Sequence, residues 1–131
     1  MAAVKAKLLL VDDDALVLEF VGQFLSQCGY ELRAACDGDE AVSIAREFHP
    51  DCVVTGIVMP RMDGFQEADA ILLFLPACKF VFMSGSAHVP EIRKQYEQRF
   101  ADPELLLSKP FARADLLKAL TRAGFPCSGA L

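Results

Sequence analysis

Five short apolar segments alternate along the chain with five segments in which apolar residues recur at helical spacing. Residues 7–11 and 52–55 have the length and composition of strands that are buried on both faces of a sheet, and residues 30–35 alternate like a strand. Strands followed in turn by helices run parallel, because each right-handed crossover returns the chain over the sheet. The order of segments therefore predicts an α/β fold with a five-stranded, doubly wound parallel sheet.

The boundaries of these segments follow from residues that start or end helices. Asp14 is placed to cap the first helix and Gly29 to end it, and the residue before Pro50 is pushed away from helical geometry. We expect strands at residues 7–11, 30–35, 52–55, 80–83 and 105–107. We expect helices at residues 15–28, 39–48, 65–75, 90–99 and 112–123.

The composition fits one globular domain. The chain has 131 residues, of which 53% are hydrophobic and 24% charged. We predict a single domain over residues 1–131, with a core at about 7–123 and a short tail at 124–131. No stretch approaches the ~20 apolar residues of a membrane span, and the first residues lack the apolar region of a secretion signal. We expect a cytoplasmic protein that does not contact membranes.

The charge and the cysteines disfavour three further features. The formal net charge is −5 and Lys and Arg form no block, so direct nucleic-acid binding is not expected. The five cysteines are odd in number and contain no C-x-x-C pair, which disfavours a disulfide framework and a zinc site. We expect reduced, mostly buried thiols.

Chemically active residues stand where the predicted strands end. In an open parallel sheet the ligand site lies outside the carboxyl ends of the strands. These ends carry two carboxylates, a glycine, a hydroxyl and an ammonium, namely Asp12 and Asp13, Gly56, Ser84, and Lys109. Such a set suits a hard divalent cation together with a phosphoryl group.

Four motifs in order, covering nearly the whole chain from Leu8 to Ala123, resemble the receiver domain of bacterial two-component response regulators. The motifs are Val11-Asp12-Asp13-Asp14, Pro50-Asp51 followed by the segment 57–65, Met83-Ser84-Gly85, and Lys109-Pro110-Phe111. Each motif alone is weak, and their specificity comes from the combined spacing. The resemblance implies a flavodoxin-like receiver fold.

The resemblance also implies roles for the residues at the strand ends. Asp12 and Asp13 would hold Mg²⁺, with the backbone carbonyl of Val58 as a further ligand. Ser84 would be the switch hydroxyl that turns toward the phosphoryl group. Lys109 would neutralise phosphoryl oxygens, and the peptide bond that follows it is commonly cis in the family.

The chain departs from the family at the phosphoacceptor. The family has an Asp at the end of the third strand, and this chain has Gly56 there in an ungapped register. No aspartyl phosphate can form at a glycine. Asp51 stands at the far end of the strand, Thr55 points the other way, and Asp63 belongs to the following loop, so none is a well-placed substitute.

The missing carboxylate has consequences for the metal and for stability. One ligand and one unit of negative charge are lost, so we expect Mg²⁺ binding to be weak or absent. The loss also relieves repulsion with Asp12 and Asp13, which predicts higher stability than in a standard receiver. Leu106 stands where the family often has an aromatic residue, so the usual aromatic rotamer switch is not available.

Three functional hypotheses follow from these features. The leading one is a pseudo-receiver without enzymatic activity, which binds a sensor histidine kinase or another signalling protein through its helical faces. The alternative is an ordinary phosphorylatable receiver that accepts phosphate from a histidine kinase, with Gly56 an engineered or copy-specific change. A different doubly wound domain such as a flavodoxin is disfavoured, because the first strand ends in acids. Whether two copies pair, and whether the chain is a fragment, stays open.

Overall fold

The computed structural model describes residues 5–127 and contains a parallel sheet of five strands. In chain order the strands are β1 (Lys7–Val11), β2 (Glu31–Ala35), β3 (Cys52–Gly56), β4 (Lys79–Ser84) and β5 (Leu106–Ser108). Their order across the sheet is β2-β1-β3-β4-β5, and every neighbouring pair is parallel. The predicted doubly wound sheet is confirmed. Residues 1–4 and 128–131, the ends of the predicted domain and tail, lie outside the described residues.

Five α-helices connect or follow the strands. They are α1 (Ala15–Gln27), α2 (Gly38–Phe48), α3 (Gly64–Leu72), α4 (Pro90–Arg99) and α5 (Arg113–Ala123). The predicted start and end of α1 are confirmed: the Asp14 carboxylate accepts a hydrogen bond from the amide of Leu16, and Gly29 follows the helix with a φ of 92°. Within residues 5–127, no helix combines the length and the apolar character that a membrane crossing requires.

Apart from the end of α3, every predicted boundary lies within one residue of the observed one. Two of the differences have a clear local cause. Helix α3 ends at Leu72 and not at residue 75, because the chain turns ahead of Pro76, whose ring disfavours helical geometry in the residue before it. Strand β5 begins at Leu106 and not at residue 105, because Leu105 ends a short 3₁₀-helix that leads into the strand. Both differences lie at element ends, where the apolar pattern alone gives no sharp limit.

Two apolar cores lie on opposite faces of the sheet, because successive residues of a strand point to opposite sides. Leu9, Val53 and Phe82 belong to the core covered by α2, α3 and α4. Leu10 and Val54 belong to the core covered by α1 and α5. The central strands are therefore buried on both faces, which explains their nearly continuous apolar sequence.

The cysteines largely follow the prediction of buried thiols. Cys28, Cys52 and Cys78 are buried, whereas Cys36 is exposed. Burial raises the pKa of the Cys28 thiol to about 11 and that of the Cys78 thiol to about 12. These two buried side chains therefore stay protonated and act as small apolar groups.

The junction between β3 and α3 depends on a close approach of two backbone segments. The amide of Gly64 donates a hydrogen bond of 2.8 Å to the carbonyl of Ile57. A Cβ atom at position 64 would lie 2.1 Å from the carbonyl oxygen of Gly56, which is far inside van der Waals contact. Only glycine allows α3 to begin this close to the end of β3.

We expect Gly64→Ala to destabilise the protein by about 1–3 kcal/mol, because the added methyl group forces α3 away from β3. Urea unfolding followed by circular dichroism measures the change. Gly85→Ala is the matched control, since a Cβ at position 85 would meet no heavy atom within 4 Å. Equal unfolding free energies for the two variants would contradict the close approach.

Candidate functional site

The carboxyl ends of four strands bring the predicted site residues to one edge of the sheet. Asp12 follows β1, Gly56 ends β3, Ser84 ends β4 and Lys109 follows β5. Backbone contacts join neighbouring ends directly, since the amide of Lys109 donates to the carbonyl of Ser84 at 2.9 Å. These four residues therefore surround one crevice, as the strand order required.

An ion pair between Asp12 and Lys109 lies at the centre of this crevice. The Lys109 ammonium nitrogen is 2.8 Å from Asp12 Oδ2. The other carboxylate oxygen, Oδ1, accepts a hydrogen bond from the amide of Asp14 at 2.9 Å. Asp12 is only 1% exposed, so its negative charge depends on these partners rather than on water.

Gly56 faces this ion pair without a side chain. A Cβ atom at Gly56 would lie 3.3 Å from Asp12 Oδ2 and 3.7 Å from the sulfur of Met59. The first contact is tight but involves the end of a side chain, which can shift. The backbone therefore has room for a side chain at this position, although the sequence supplies none.

The hydroxyl of Ser84 lies at the same edge and is nearly buried. Its oxygen accepts a hydrogen bond of 2.9 Å from the amide of Ser86, which holds the turn after β4. The hydroxyl hydrogen stays available to donate. The peptide bond between Lys109 and Pro110 is cis, as the family resemblance implies.

The three residues considered as substitutes for a carboxylate at position 56 make contacts elsewhere. The Asp51 carboxylate accepts a hydrogen bond from the amide of Lys7, at the opposite edge of the sheet. Asp63 caps α3 through a reciprocal capping box. Thr55 points into the core toward Glu67, which lies 3.1 Å from its hydroxyl. The three substitutes considered from the sequence are therefore engaged outside the crevice.

Sequence reasoning missed Glu67. This acid of α3 is fully buried, and burial raises its pKa to about 8, while the hydrogen bond from Thr55 opposes the shift and the charge of Asp63 adds to it. The available signal was spacing, since Glu67 stands four residues before the buried Ile71 and thus on the same face of the helix. An acid in an amphipathic helix is normally expected on the exposed face, and the spacing to Ile71 places Glu67 on the buried face instead.

The acids at this edge of the sheet are dispersed or already paired. Within residues 5–127, no group of three or more His, Cys, Asp or Glu side chains is arranged to hold a metal ion. Both oxygens of Asp12 have partners, and Asp13 is exposed. The side chain of Val58 is also exposed. Positive charge in the crevice comes from the Lys109 ammonium.

Comparison with known proteins agrees with the fold. Residues 8–121 match a family model described as response regulator receiver domain. Response regulator MprA of Mycolicibacterium vanbaalenii is 34% identical over 95% of this chain, and the chain spans about half of MprA, 54% of its length.

Solved structures show the same architecture. The chemotaxis protein CheY4 of Vibrio cholerae superposes with a TM-score of 0.83 at 30% identity, covering 92% of this chain and 99% of CheY4. A CheX–CheY complex of Borrelia burgdorferi with BeF₃ and Mg²⁺ contains a chain that superposes with a TM-score of 0.79, covering 91% of this chain and 89% of that chain. At 23% identity this likeness shows the fold alone.

We expect Lys109→Met to destabilise the protein by about 1–3 kcal/mol, because it leaves the buried Asp12 carboxylate without its counter-ion. Adding Asp12→Asn should recover most of the loss, since the amide oxygen can still accept from the backbone. Urea unfolding of the single and double variants measures this coupling. Lys118→Met, at an exposed lysine of α5, is the control and should change stability by less than about 0.5 kcal/mol. Equal losses for both lysine variants would contradict a structural role of the ion pair.

Proposed function

This chain belongs to the response regulator receiver family of two-component signalling, and from that premise we propose that it is a phosphorylation-independent interaction module. The observation that carries the proposal is Gly56 at the end of β3, the position of the family's phosphoacceptor aspartate. A glycine offers no carboxylate for phosphoryl transfer. The proposal therefore includes no catalytic step.

The polar and charged side chains around Gly56 already have partners within the protein. Lys109, which would neutralise phosphoryl oxygens in a standard receiver, pairs with Asp12 at 2.8 Å. Ser84, the proposed switch hydroxyl, accepts a hydrogen bond from its own turn. Both side chains have a hydrogen-bond partner without a phosphoryl group, so we propose that the crevice maintains one arrangement.

Weak magnesium binding is part of the same proposal. Receiver domains typically bind Mg²⁺. Here Asp12 and Asp13 would be the carboxylate ligands, with the Val58 carbonyl beside them, and a third carboxylate is missing. A metal ion would also have to displace the Lys109 ammonium from Asp12. We therefore propose that Mg²⁺ binds weakly or not at all.

Partner binding through helical faces is the activity that we propose. Leu16 and Phe20 of α1 are 61% and 64% exposed, which is unusual for large apolar side chains. Both lie in the first two turns of α1, the helix that follows Asp12 in the chain. A sensor histidine kinase or another cytoplasmic signalling protein would be the partner, without direct nucleic-acid contact.

A phosphorylatable receiver with an altered acceptor is the second candidate. The space at Gly56 favours it, because a Cβ there would meet only side-chain atoms, at 3.3 Å or more. In that case the present glycine is engineered or specific to this copy, and the parent chain carries aspartate. Under both candidates the chain with Gly56 has no acceptor at this position, and the second candidate requires that aspartate at position 56 accept phosphate.

Incubation with acetyl phosphate and Mg²⁺, followed by intact mass measurement, tests whether the site accepts a phosphoryl group with glycine and with aspartate at position 56. We expect no added phosphate on the unaltered chain and one phosphate on Gly56→Asp, because only the variant has an acceptor carboxylate. Gly56→Asn is the matched control, of similar size but without nucleophilic oxygen. A phosphate on the unaltered chain would sink the proposal.

Magnesium should stabilise the Gly56→Asp variant and leave the unaltered chain nearly unchanged. The added carboxylate supplies the missing ligand, and without metal it repels the nearby Asp12. Thermal unfolding with EDTA and with excess MgCl₂ measures both effects. We expect the variant to melt below the unaltered chain in EDTA and to gain more from Mg²⁺. An equal gain for both chains would contradict the weak metal site.

A further inference from the structure

Glu67 is a buried acid that no part of the proposed signalling function uses. It lies on the side of α3 that faces the sheet and has no exposed surface. Its Oε1 is 3.1 Å from the hydroxyl oxygen of Thr55, and its Oε2 has no hydrogen-bond partner in the part of the chain that the structure describes. Burying an ionised carboxylate with an unpaired oxygen is strongly unfavourable. The surroundings therefore favour the neutral acid.

The hydroxyl of Thr55 has one hydrogen and two oxygen atoms within hydrogen-bond distance. Besides Glu67 Oε1, the carbonyl oxygen of Gly56 lies 3.0 Å away, and a carbonyl can only accept. When Glu67 carries a proton, its carboxyl group donates to Thr55, and Thr55 donates to Gly56. When Glu67 is ionised, it competes with Gly56 for the single Thr55 hydrogen. The protonated form alone satisfies both contacts of the hydroxyl.

We propose that a hydrogen-bond relay from protonated Glu67 through Thr55 to the Gly56 carbonyl makes the junction of β3 and α3 respond to pH. Loss of the proton to solvent draws the Thr55 hydrogen toward the carboxylate and leaves the Gly56 carbonyl without its side-chain donor. That carbonyl is the atom that a Cβ at Gly64 would meet at 2.1 Å, so it lies where α3 begins. The relay does not depend on whether Gly56 is a lost phosphoacceptor.

The groups close to Glu67 set its titration. Burial raises the pKa of Glu67 to about 8, the Thr55 hydrogen bond lowers it and the carboxylate of Asp63 raises it. The charge of Glu67 in turn contributes to the raised pKa of Cys78, just before β4. The buried Tyr96 of α4 donates to a backbone carbonyl, and burial raises its pKa to about 12, so it stays neutral.

No buried basic side chain faces Glu67 from the packed elements. Strand β3 contains no charged residue, and the one charged residue of β4, Lys79, is exposed. The charged residues of α2 and α4 are exposed as well: Asp39, Glu40, Arg46, Glu47, Glu91, Arg93, Lys94, Glu97 and Arg99. The proton is therefore the available means of neutralising this carboxylate.

The sign of the pH effect follows from the raised pKa. The unfolded chain releases the Glu67 proton near the ordinary value of 4.5, whereas the folded chain keeps it until about pH 8. Between these values the folded state binds more protons, so its stability falls as pH rises. This contribution is fully present below pH 4.5 and is lost as pH rises through about 8.

Thermal unfolding of the unaltered chain and of Glu67→Gln across this pH range tests the titration. Glutamine keeps a donor for Thr55 but cannot ionise. We expect the melting temperature of the unaltered chain to fall relative to that of the variant as pH rises from 4.5 toward and above 8. Parallel melting curves for the two proteins over this range would overturn the proposal.

Carbon NMR tests the relay itself. We expect the Glu67 carboxyl carbon and the Gly56 carbonyl carbon to shift together with a midpoint near pH 8 in the unaltered chain. In Thr55→Val the Glu67 shift should remain and the Gly56 shift should disappear, whereas Thr55→Ser should retain both.

Two results would contradict the relay. One is a Glu67 carboxyl carbon that titrates near 4.5, with the ordinary glutamates. The other is a Gly56 response that survives in Thr55→Val or in Glu67→Gln. The glutamine variant applies the same test from the other end of the relay, so the question is answered even where the valine variant does not fold.

Discussion

The five parallel strands end at one edge of the sheet, and this alignment decides which polar groups meet. Strand β3 lies between β1 and β4, and all of its residues are buried. A strand enclosed in this way tolerates polar groups only where each has a partner. The one hydroxyl of β3 therefore belongs to Thr55, near the end of the strand. Successive strand positions face opposite sides, so a side chain at position 56 would point away from the Thr55 hydroxyl.

Two buried acids near this edge are neutralised by different means. Asp12 pairs with the Lys109 ammonium and a backbone amide, so its charge is balanced within the crevice. Glu67 has one hydroxyl partner and no buried cation beside it among residues 5–127, so burial raises its pKa to about 8. The first acid lies at the edge where the strands end, beside Gly56, and the second lies in the core beneath α3. The Gly56 carbonyl oxygen contacts the Thr55 hydroxyl, which also contacts Glu67, and a Cβ at Gly56 would lie 3.3 Å from Asp12 Oδ2.

The order and type of the elements were predictable because their signals are local. Apolar runs, the capping residue Asp14 and the stop at Gly29 act within a few residues of one another, and the structure agrees with them. The end of α3 was placed too late, since its apolar run continues past Leu72 while the chain already turns. An apolar pattern reports burial, and burial continues beyond the last helical hydrogen bond.

The sequence by itself determined the parallel fold, the residues at the strand ends and the absence of a carboxylate at Gly56. Tertiary structure decided which acid at the strand ends Lys109 pairs with, namely Asp12, 97 residues away in the chain. It also decided that Glu67 is enclosed rather than solvated. The reason is that strand order and the face that each helix buries determine which ion-pair and hydrogen-bond partners meet. These partners are distant in the chain, so no local sequence pattern connects them.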